Sequence, residues 1–424
     1  MTSSKKAAPL GTVLVIGGCG FVGSRLVDQL LNFPSEDESA PDSSTRTSAP
    51  SSSDSITISS SQSYPSLRSR YPSHDPSTTT VHALDLRCTH NRYPGCTYHE
   101  ADITSEEQLS AIFDKVKPDV VINTASPHFD APEPILRKVN IEGTKTLISV
   151  AQSRAKIFVH VSSSSVVHDT FSDLFGATEE YPYVDPNPRE RYSETKVKAE
   201  RIVLAANDTA TKFLTCAVRP AGITGEGDRN GIGYSLCAQA ATAPPATLRV
   251  QLGDNSNLFD TTYVGNVSYG LLCAASALLA THSRIKAGQS MPLDSERVDG
   301  EAFNVTNDSP LPFWDICRYI WSRYGTNPVI TPESIWTIPK EYAVALGFAA
   351  ESWAKLTGRK GRFNSQTARY ACMHRWFRCE KLEQRTGYQP IVGVEEALGR
   401  TIKWFKAQEE QEKAANGKAE KKTQ

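Results

Sequence analysis

The chain carries almost no net charge: 46 lysines and arginines stand against 47 aspartates and glutamates, a formal −1. The two signs are mixed along the chain, which excludes a nucleic-acid-binding surface as its main working part. Long apolar runs are missing too. The longest, Leu271 to Ala280, falls short of the roughly 20 residues that cross a bilayer, so no transmembrane span is expected. The start Met1-Thr2-Ser3-Ser4-Lys5-Lys6 has no apolar segment behind it and reads as no secretory signal. Nine cysteines, an odd number, show neither metal-ligand spacing nor a disulfide framework, as in a reducing compartment. These absences predict a soluble intracellular protein with no zinc-site cysteine spacing.

What is present is enough apolar sequence for a large core. Of 424 residues 39% are apolar, and that length allows two or three domains. The most ordered stretch is Val13-Leu14-Val15-Ile16, a run that reads as a strand buried on both faces. Gly17, Gly20 and Gly23 follow at once, and Ser24 to Leu31 takes up helical spacing. Strand, glycine turn and helix in this order form the phosphate-binding start of a Rossmann unit. Gly17 permits the tight turn, Gly20 clears the approach to a pyrophosphate, and Gly23 lets the helix pack on the strand. The helix N-terminus then offers free N–H groups and partial positive charge.

Composition changes sharply at Pro34. From there to about residue 80 the chain is Ser, Pro, Thr, Asp and Arg with little apolar periodicity, so 34–80 is expected to be a disordered insertion. A phosphorylated or partner-binding segment is the alternative. Order resumes at Val81-His82-Ala83-Leu84-Asp85, a strand ending in an acid. With the insertion removed, Asp85 lies at the spacing of the acid that binds the cofactor ribose. Asp85 makes NAD the favoured cofactor, and Arg87 nearby, suited to a 2′-phosphate, makes NADP the alternative.

Cys96 to Ile103 reads as a further strand end, with Ser105 capping a helix to Val116. Asp102 is placed either beside the adenine ring or at a solvated strand end. Asp119 to Ala125 is the fourth strand, leading to Ser126-Pro127-His128. His128 has a catalytic reading and a structural one. Lys156 to Val161 is a fifth strand, ending in Ser162-Ser163-Ser164-Ser165.

Tyr192 and Lys196 are four residues apart in a helical stretch and so share a face. A tyrosine acting as base must approach ionisation at neutral pH, and a nearby ammonium favours the phenolate. A serine at the neighbouring strand end supplies a hydrogen bond to a substrate oxygen.

These residues resemble an extended short-chain dehydrogenase/reductase. Within it, Gly17 to Gly23, Asp85-Leu86-Arg87, Thr124-Ala125-Ser126-Pro127, Arg219 to Asp228, Asn257 to Asn266 and Gly387-Tyr388-Gln389-Pro390 resemble the 3β-hydroxysteroid dehydrogenase/isomerase family. Among its branches, these stretches resemble the fungal sterol-4α-carboxylate 3-dehydrogenase (decarboxylating) type. The resemblance implies an α/β fold: a Rossmann-type doubly wound parallel sheet with a smaller C-terminal substrate-binding lobe. Residues 1–33 and 81–218 would form most of the cofactor domain and 219–407 mainly the lobe, with segments returning to the sheet. Residues 408–424 are charged and expected to be disordered.

It further implies Tyr192 as general base, Lys196 as the group that lowers its pKa and binds ribose, and Ser163 as the catalytic serine. Ser162 and Ser164 stay open as alternatives one residue either side. Asn140 would complete the proton relay, or else cap a helix. Cofactor contacts fall on Gly17, Gly20, Phe21, Val22, Gly23, Asp85, Arg87, Asp102, Ile103, Thr124, Ala125, Tyr192, Lys196, Pro220 and Ile223. Arg219 reads equally as a structural salt bridge. Ile16 stands where many relatives have threonine, which removes one side-chain hydrogen bond.

The implied reaction is NAD(P)-dependent oxidation of a 3β-hydroxyl on a sterol or terpenoid-like substrate, with loss of a 4α-carboxylate. Rival readings are a dehydrogenase or reductase of another polycyclic metabolite, a nucleotide-sugar epimerase, and a dinucleotide-binding sensor without turnover. A homodimer at the cytosolic face of the endoplasmic reticulum, or in the cytosol, is implied as well. Ile335 to Leu356, with Trp336 and Trp353, is expected to be packed core, the alternative being an apolar lid or membrane-surface patch.

Overall fold

A computed structural model describes residues 6–32, 67–187, 190–324, 330–358 and 363–423. Its centre is β1 (Gly11–Ile16), whose Val13, Leu14, Val15 and Ile16 are fully buried. Around it lie β2 (Thr79–Asp85), β3 (Thr97–Glu100), β4 (Val120–Asn123), β5 (Ile157–Val161), β6 (Leu214–Pro220) and β7 (Ala302–Val305). The seven strands form one sheet in the order β7-β6-β5-β4-β1-β2-β3, and every pairing is parallel. β1 pairs with β2 on one side and β4 on the other. The direction of winding therefore reverses between β1 and β4, and a crevice opens at their carboxyl ends.

Helices cover both faces: α1 (Phe21–Leu30), α2 (Glu106–Val116), α3 (Glu133–Leu136) running through a π-helical stretch Arg137–Gly143 into α4 (Thr144–Ala151), and α5 (Arg191–Ala205). As the sequence predicts, the Ser105 hydroxyl caps α2 by accepting from the Gln108 N–H. The later helices are α6 (Ile232–Thr242), α7 (Val264–Lys286), α8 (Phe313–Tyr324) and α9 (Lys340–Thr357). α7 takes in the apolar run Leu271 to Ala280 and extends beyond it at both ends. By length and composition it is long and apolar enough to cross a membrane, yet 67% of its apolar window is buried, and it packs on α1, β5 and β6.

The lobe has its own four-stranded sheet, in the order Leu311–Pro312, Leu258–Phe259, Arg375–Phe377, Leu174–Ala177. A second apolar core gathers α6, α8 and the segment around Ala371. The two halves of the chain interleave. Leu174–Ala177 joins the lobe sheet, while α7 and β7 return to the large one.

Three expectations change. Residues 33–66 lie outside the described part of the insertion, but 67–80 are ordered. Tyr71 is buried, with its hydroxyl 3.3 Å from Asn266 and its ring against Tyr269. Arg70 pairs with Glu396 at 2.8 Å, and the Asn32 amide donates to the carbonyls of Arg68, Tyr71 and Pro72. Composition hides this order because several partners lie hundreds of residues away along the chain. The charged tail is the second change. The last helix runs Val394–Thr423, with Glu409 bonded to Tyr324 and paired with Lys413 one turn on.

The third change concerns α9, which is not core. Only Ala343 and Gly347 are buried. Gly347 lies so close to Ser365 that a Cβ would come within 2.5 Å of its backbone nitrogen. That stripe fastens the helix and leaves Tyr342, Leu346, Phe348, Trp353 (66% exposed) and Leu356 (80%) facing outward, with Trp336 beside them in the chain.

Candidate active site

The crevice between β1 and β4 gathers the residues expected to hold a dinucleotide. Gly17 takes a φ of +77°, and a Cβ there would meet the Ala125 nitrogen at 2.8 Å. At Gly23 a Cβ would lie 2.1 Å from the Gly17 carbonyl oxygen, so strand end and helix touch only because neither has a side chain. Gly20 opens α1 without a side-chain cap, which leaves the first N–H groups of the helix for an anion. Thr124 closes the floor by donating to the carbonyls of Ile16 and Gly17 at 2.7 and 3.2 Å. Asp85, at the end of β2, accepts from the N–H groups of Cys19 and Leu86 at 3.0 and 2.8 Å. Phe21 and Val22 are half-buried in the first turn of α1. A narrow glycine turn, an uncapped helix start and an acid beside them fit a dinucleotide.

Other expected contacts stand further off. Arg87 is exposed. Asp102 accepts from Thr104 and pairs with Lys138 at 3.0 Å, so its carboxylate is already engaged. Ile103 packs on Gly143. Pro220 is buried at the end of β6, and Ile223 lies in the strand Gly222–Thr224 beside Thr261–Tyr263.

A second cluster forms where α5 crosses the ends of β4 and β5. The Tyr192 hydroxyl has the hydroxyls of Ser126 and Ser163 as hydrogen-bonding neighbours. Ser163 also bonds the Ser165 hydroxyl at 2.9 Å. Ser162, one residue before, turns the other way and donates to buried Glu200, while Ser164 is buried in a short helical turn. The serine run thus separates by facing: only Ser163 looks at Tyr192.

Lys196 sits one turn along from Tyr192, but its Nζ donates to the Val161 carbonyl at 2.9 Å and lies 5.9 Å from the centre of the Tyr192 ring. Burial pushes its pKa down to about 8, opposed by the charge of Glu200. Tyr192 is not lowered as the resemblance implies. Burial and then the Glu190 charge push it up to about 12, with Ser126 and Ser163 acting against them. The physical reason is that the ammonium is directed at a carbonyl of β5 and not at the phenol oxygen.

Asn140 lies inside the π-helical stretch and is buried, so it caps no helix. Its Oδ1 accepts from Ser126 at 3.1 Å and its Nδ2 donates to Thr195 at 3.0 Å. Single π-turns often mark functional positions, where the extra residue re-aims a side chain. Arg219 is the salt bridge foreseen as one of its readings: its guanidinium pairs with Glu200 at 2.5 Å, both fully buried, and Tyr183 adds a bond to the same carboxylate. His128 is engaged by Asp130 and by the Asn230 carbonyl, which is a structural arrangement. Ser126 and Glu200 carry no assigned role in the sequence reading. The four-residue spacing from Lys196 was the available signal for Glu200; for Ser126 it was its place after β4, within the Thr124-Ala125-Ser126-Pro127 stretch.

The pattern of one known family matches residues 75–334, more than half of the chain: the 3-beta hydroxysteroid dehydrogenase/isomerase family. The chain belongs to that family. It is 31% identical to the sterol-4-alpha-carboxylate 3-dehydrogenase ERG26, decarboxylating, of Candida albicans, across 93% of this chain and 98% of that one. It is 28% identical to the human sterol-4-alpha-carboxylate 3-dehydrogenase, decarboxylating, across 74% and 78%. Among solved structures, a UDP-glucose 4-epimerase of Thermotoga maritima superposes with a TM-score of 0.58 at 16% identity, covering 94% and 99%. A dTDP-glucose 4,6-dehydratase of Bacillus anthracis superposes at 0.55 and 17%, covering 94% and 98%. At that identity these two show the extended α/β fold and nothing of the chemistry.

Proposed function

We propose that this family member is an NAD-dependent oxidoreductase that oxidises the 3β-hydroxyl of a 4α-carboxysterol and releases the carboxylate as CO₂, leaving the 3-ketone. The observation that carries the reading is the Tyr192–Ser163 pair at the end of β5, beside the cofactor crevice, in a chain similar over nearly its whole length to enzymes named for that reaction.

In this reading the glycine turn and the start of α1 hold the pyrophosphate and Asp85 holds the adenosine ribose. Its negative charge favours NAD over a 2′-phosphate; with Arg87 exposed nearby, NADP is the second choice. NAD, when bound, accepts the hydride from the carbinol carbon. Ser163 would hold the substrate oxygen, and Tyr192, which burial keeps protonated in this structure, would take the substrate proton once the positive charge that NAD brings into the site favours the phenolate. The product is a β-keto acid. As the C–CO₂ bond breaks, its electrons pass to the carbonyl oxygen, where the Tyr192 and Ser163 hydroxyls donate to the developing oxyanion. The enolate then takes a proton from solvent at the carbon that carried the carboxylate, which leaves the 3-ketone, and no further catalytic group is required.

Support for a lipid-surface setting comes from α9. Its outward Trp, Tyr, Leu and Phe side chains flanked by Lys340 and Lys355 suit an interfacial helix. The protein is read as intracellular, in the cytosol or at the cytosolic face of the endoplasmic reticulum, and as a homodimer.

The test is reduced-cofactor formation from NAD and from NADP with a 3β-hydroxy-4α-carboxysterol while released CO₂ is trapped. Reduced cofactor with equimolar CO₂ is expected. Reduced cofactor without CO₂ would move the substrate elsewhere in the family, and no signal with either cofactor would overturn the reading.

A further inference from the structure

Ser126 follows β4 and is exposed, while the groups it bonds lie inward. The direction of each hydrogen bond around it follows from what each group can do. The Thr195 hydroxyl lies 2.8 Å from the Tyr192 carbonyl oxygen, which only accepts, so Thr195 gives its single proton there. Thr195 Oγ1 must then accept from Asn140, which presents its amide Nδ2 at 3.0 Å. That orients Oδ1 of Asn140 toward Ser126, 3.1 Å away. Asn140 Oδ1 and the Pro127 carbonyl at 3.2 Å are both acceptors only, so they draw the one proton of Ser126. The lone pairs of Ser126 remain for the Tyr192 hydroxyl. The result is a run of hydrogen bonds from Ser126 through Asn140 and Thr195 to the carbonyl of Tyr192, with the Tyr192 hydroxyl next to Ser126 at its head and Ser126 open to water.

Other exits for a proton at Tyr192 are poor. Lys196 is buried with its Nζ on the Val161 carbonyl, and His160 beside it is fully buried and, held neutral by burial, bonds Asn123. We propose that Ser126 carries the proton between Tyr192 and solvent. After Tyr192 has taken the substrate proton, its O–H bond breaks as a new O–H bond forms on Ser126. The original Ser126 proton turns from Asn140 to water or a buffer base. One proton leaves, and Tyr192 is restored as the base. Ser126 thus acts through Tyr192, and Asn140 and Thr195 set its direction.

The proposal rests on Tyr192 as the base, so the experiment includes Tyr192→Phe as a control. Full-length protein, saturating NAD and a 3β-hydroxy-4α-carboxysterol are used, with imidazole varied at constant ionic strength. Ser126→Ala is expected to lose kcat by about tenfold or more with KM unchanged, to regain it as imidazole rises, and to show a larger solvent deuterium isotope effect. Ser126→Thr keeps the hydroxyl and should retain the parent rate. Thr195→Val frees the Asn140 amide to turn over, and should give a smaller loss that also responds to buffer. A Ser126→Ala rate equal to the parent, or a loss indifferent to imidazole and isotope, overturns the relay. If Tyr192→Phe keeps turnover, the underlying reading falls and the relay with it; if it is inactive, the Ser126 arm judges the relay alone.

Discussion

The Lys196 ammonium donates to the carbonyl of Val161 at 2.9 Å, although Lys196 lies one helical turn from Tyr192. Its role in this structure is to tie α5 to the end of β5, and thereby to hold the Tyr192 ring at the strand ends. Tyr192→Phe should leave cofactor affinity near the parent value and lower kcat by roughly two to four orders of magnitude. Lys196→Met should lower both. Initial rates and cofactor fluorescence titration separate the two outcomes.

Asp85 touches two backbone N–H groups of the crevice. A 2′-phosphate placed there meets a like charge, so kcat/KM for NAD should exceed that for NADP by about tenfold or more. Asp85→Ser should narrow the ratio, mainly through a higher KM for NAD.

Arg219 and Glu200 form a fully buried pair under the site. Removing one partner strands the other charge. Arg219→Met or Glu200→Gln alone should each lower stability by about 3–5 kcal/mol. The double variant should lose clearly less than the sum, as read from denaturant midpoints.

Asp260 is buried with one carboxylate oxygen bonded to the Phe377 N–H and the other unpartnered. Burial raises it to about 7 from a usual 3.8, against the pull of Arg375. Folded protein therefore holds a proton that unfolded chain has released between those values, and stability from this group falls as pH rises from about 4 to about 7. Asp260→Asn keeps an acceptor for Phe377 and should remove that slope. Relative to the parent it should gain up to about 4 kcal/mol between pH 4 and 8; parallel stability curves would refute the assignment.

Outward residues of α9 should bind a lipid surface. Replacing Trp353 and Leu356 together by serine removes two large apolar side chains, enough at about 1.5–3 kcal/mol each to weaken partitioning by tenfold or more. Vesicle co-sedimentation measures it, and NAD affinity should not change.

The glycine turn and the Tyr192–Lys196 pair were legible because their chemistry is local: a buried strand must precede the turn, and four residues span one helical turn. Asn140 and the serines were legible as candidates only. Sequence places Ser162, Ser163 and Ser164 within one residue of each other, yet the pleat and the following turn send Ser162 to Glu200 and Ser163 to Tyr192.

What the sequence by itself determined is the strand, glycine turn and helix that open the Rossmann unit and the shared face of Tyr192 and Lys196, since β-branched runs, glycine spacing and helical periodicity are short-range properties. Only the tertiary structure decided which hydroxyl meets Tyr192, that Tyr71 seals the core while α9 stays outside it, and that Lys196 turns toward β5. Those outcomes depend on contacts between residues distant in the chain, where burial and hydrogen-bond direction act and composition carries no record of them.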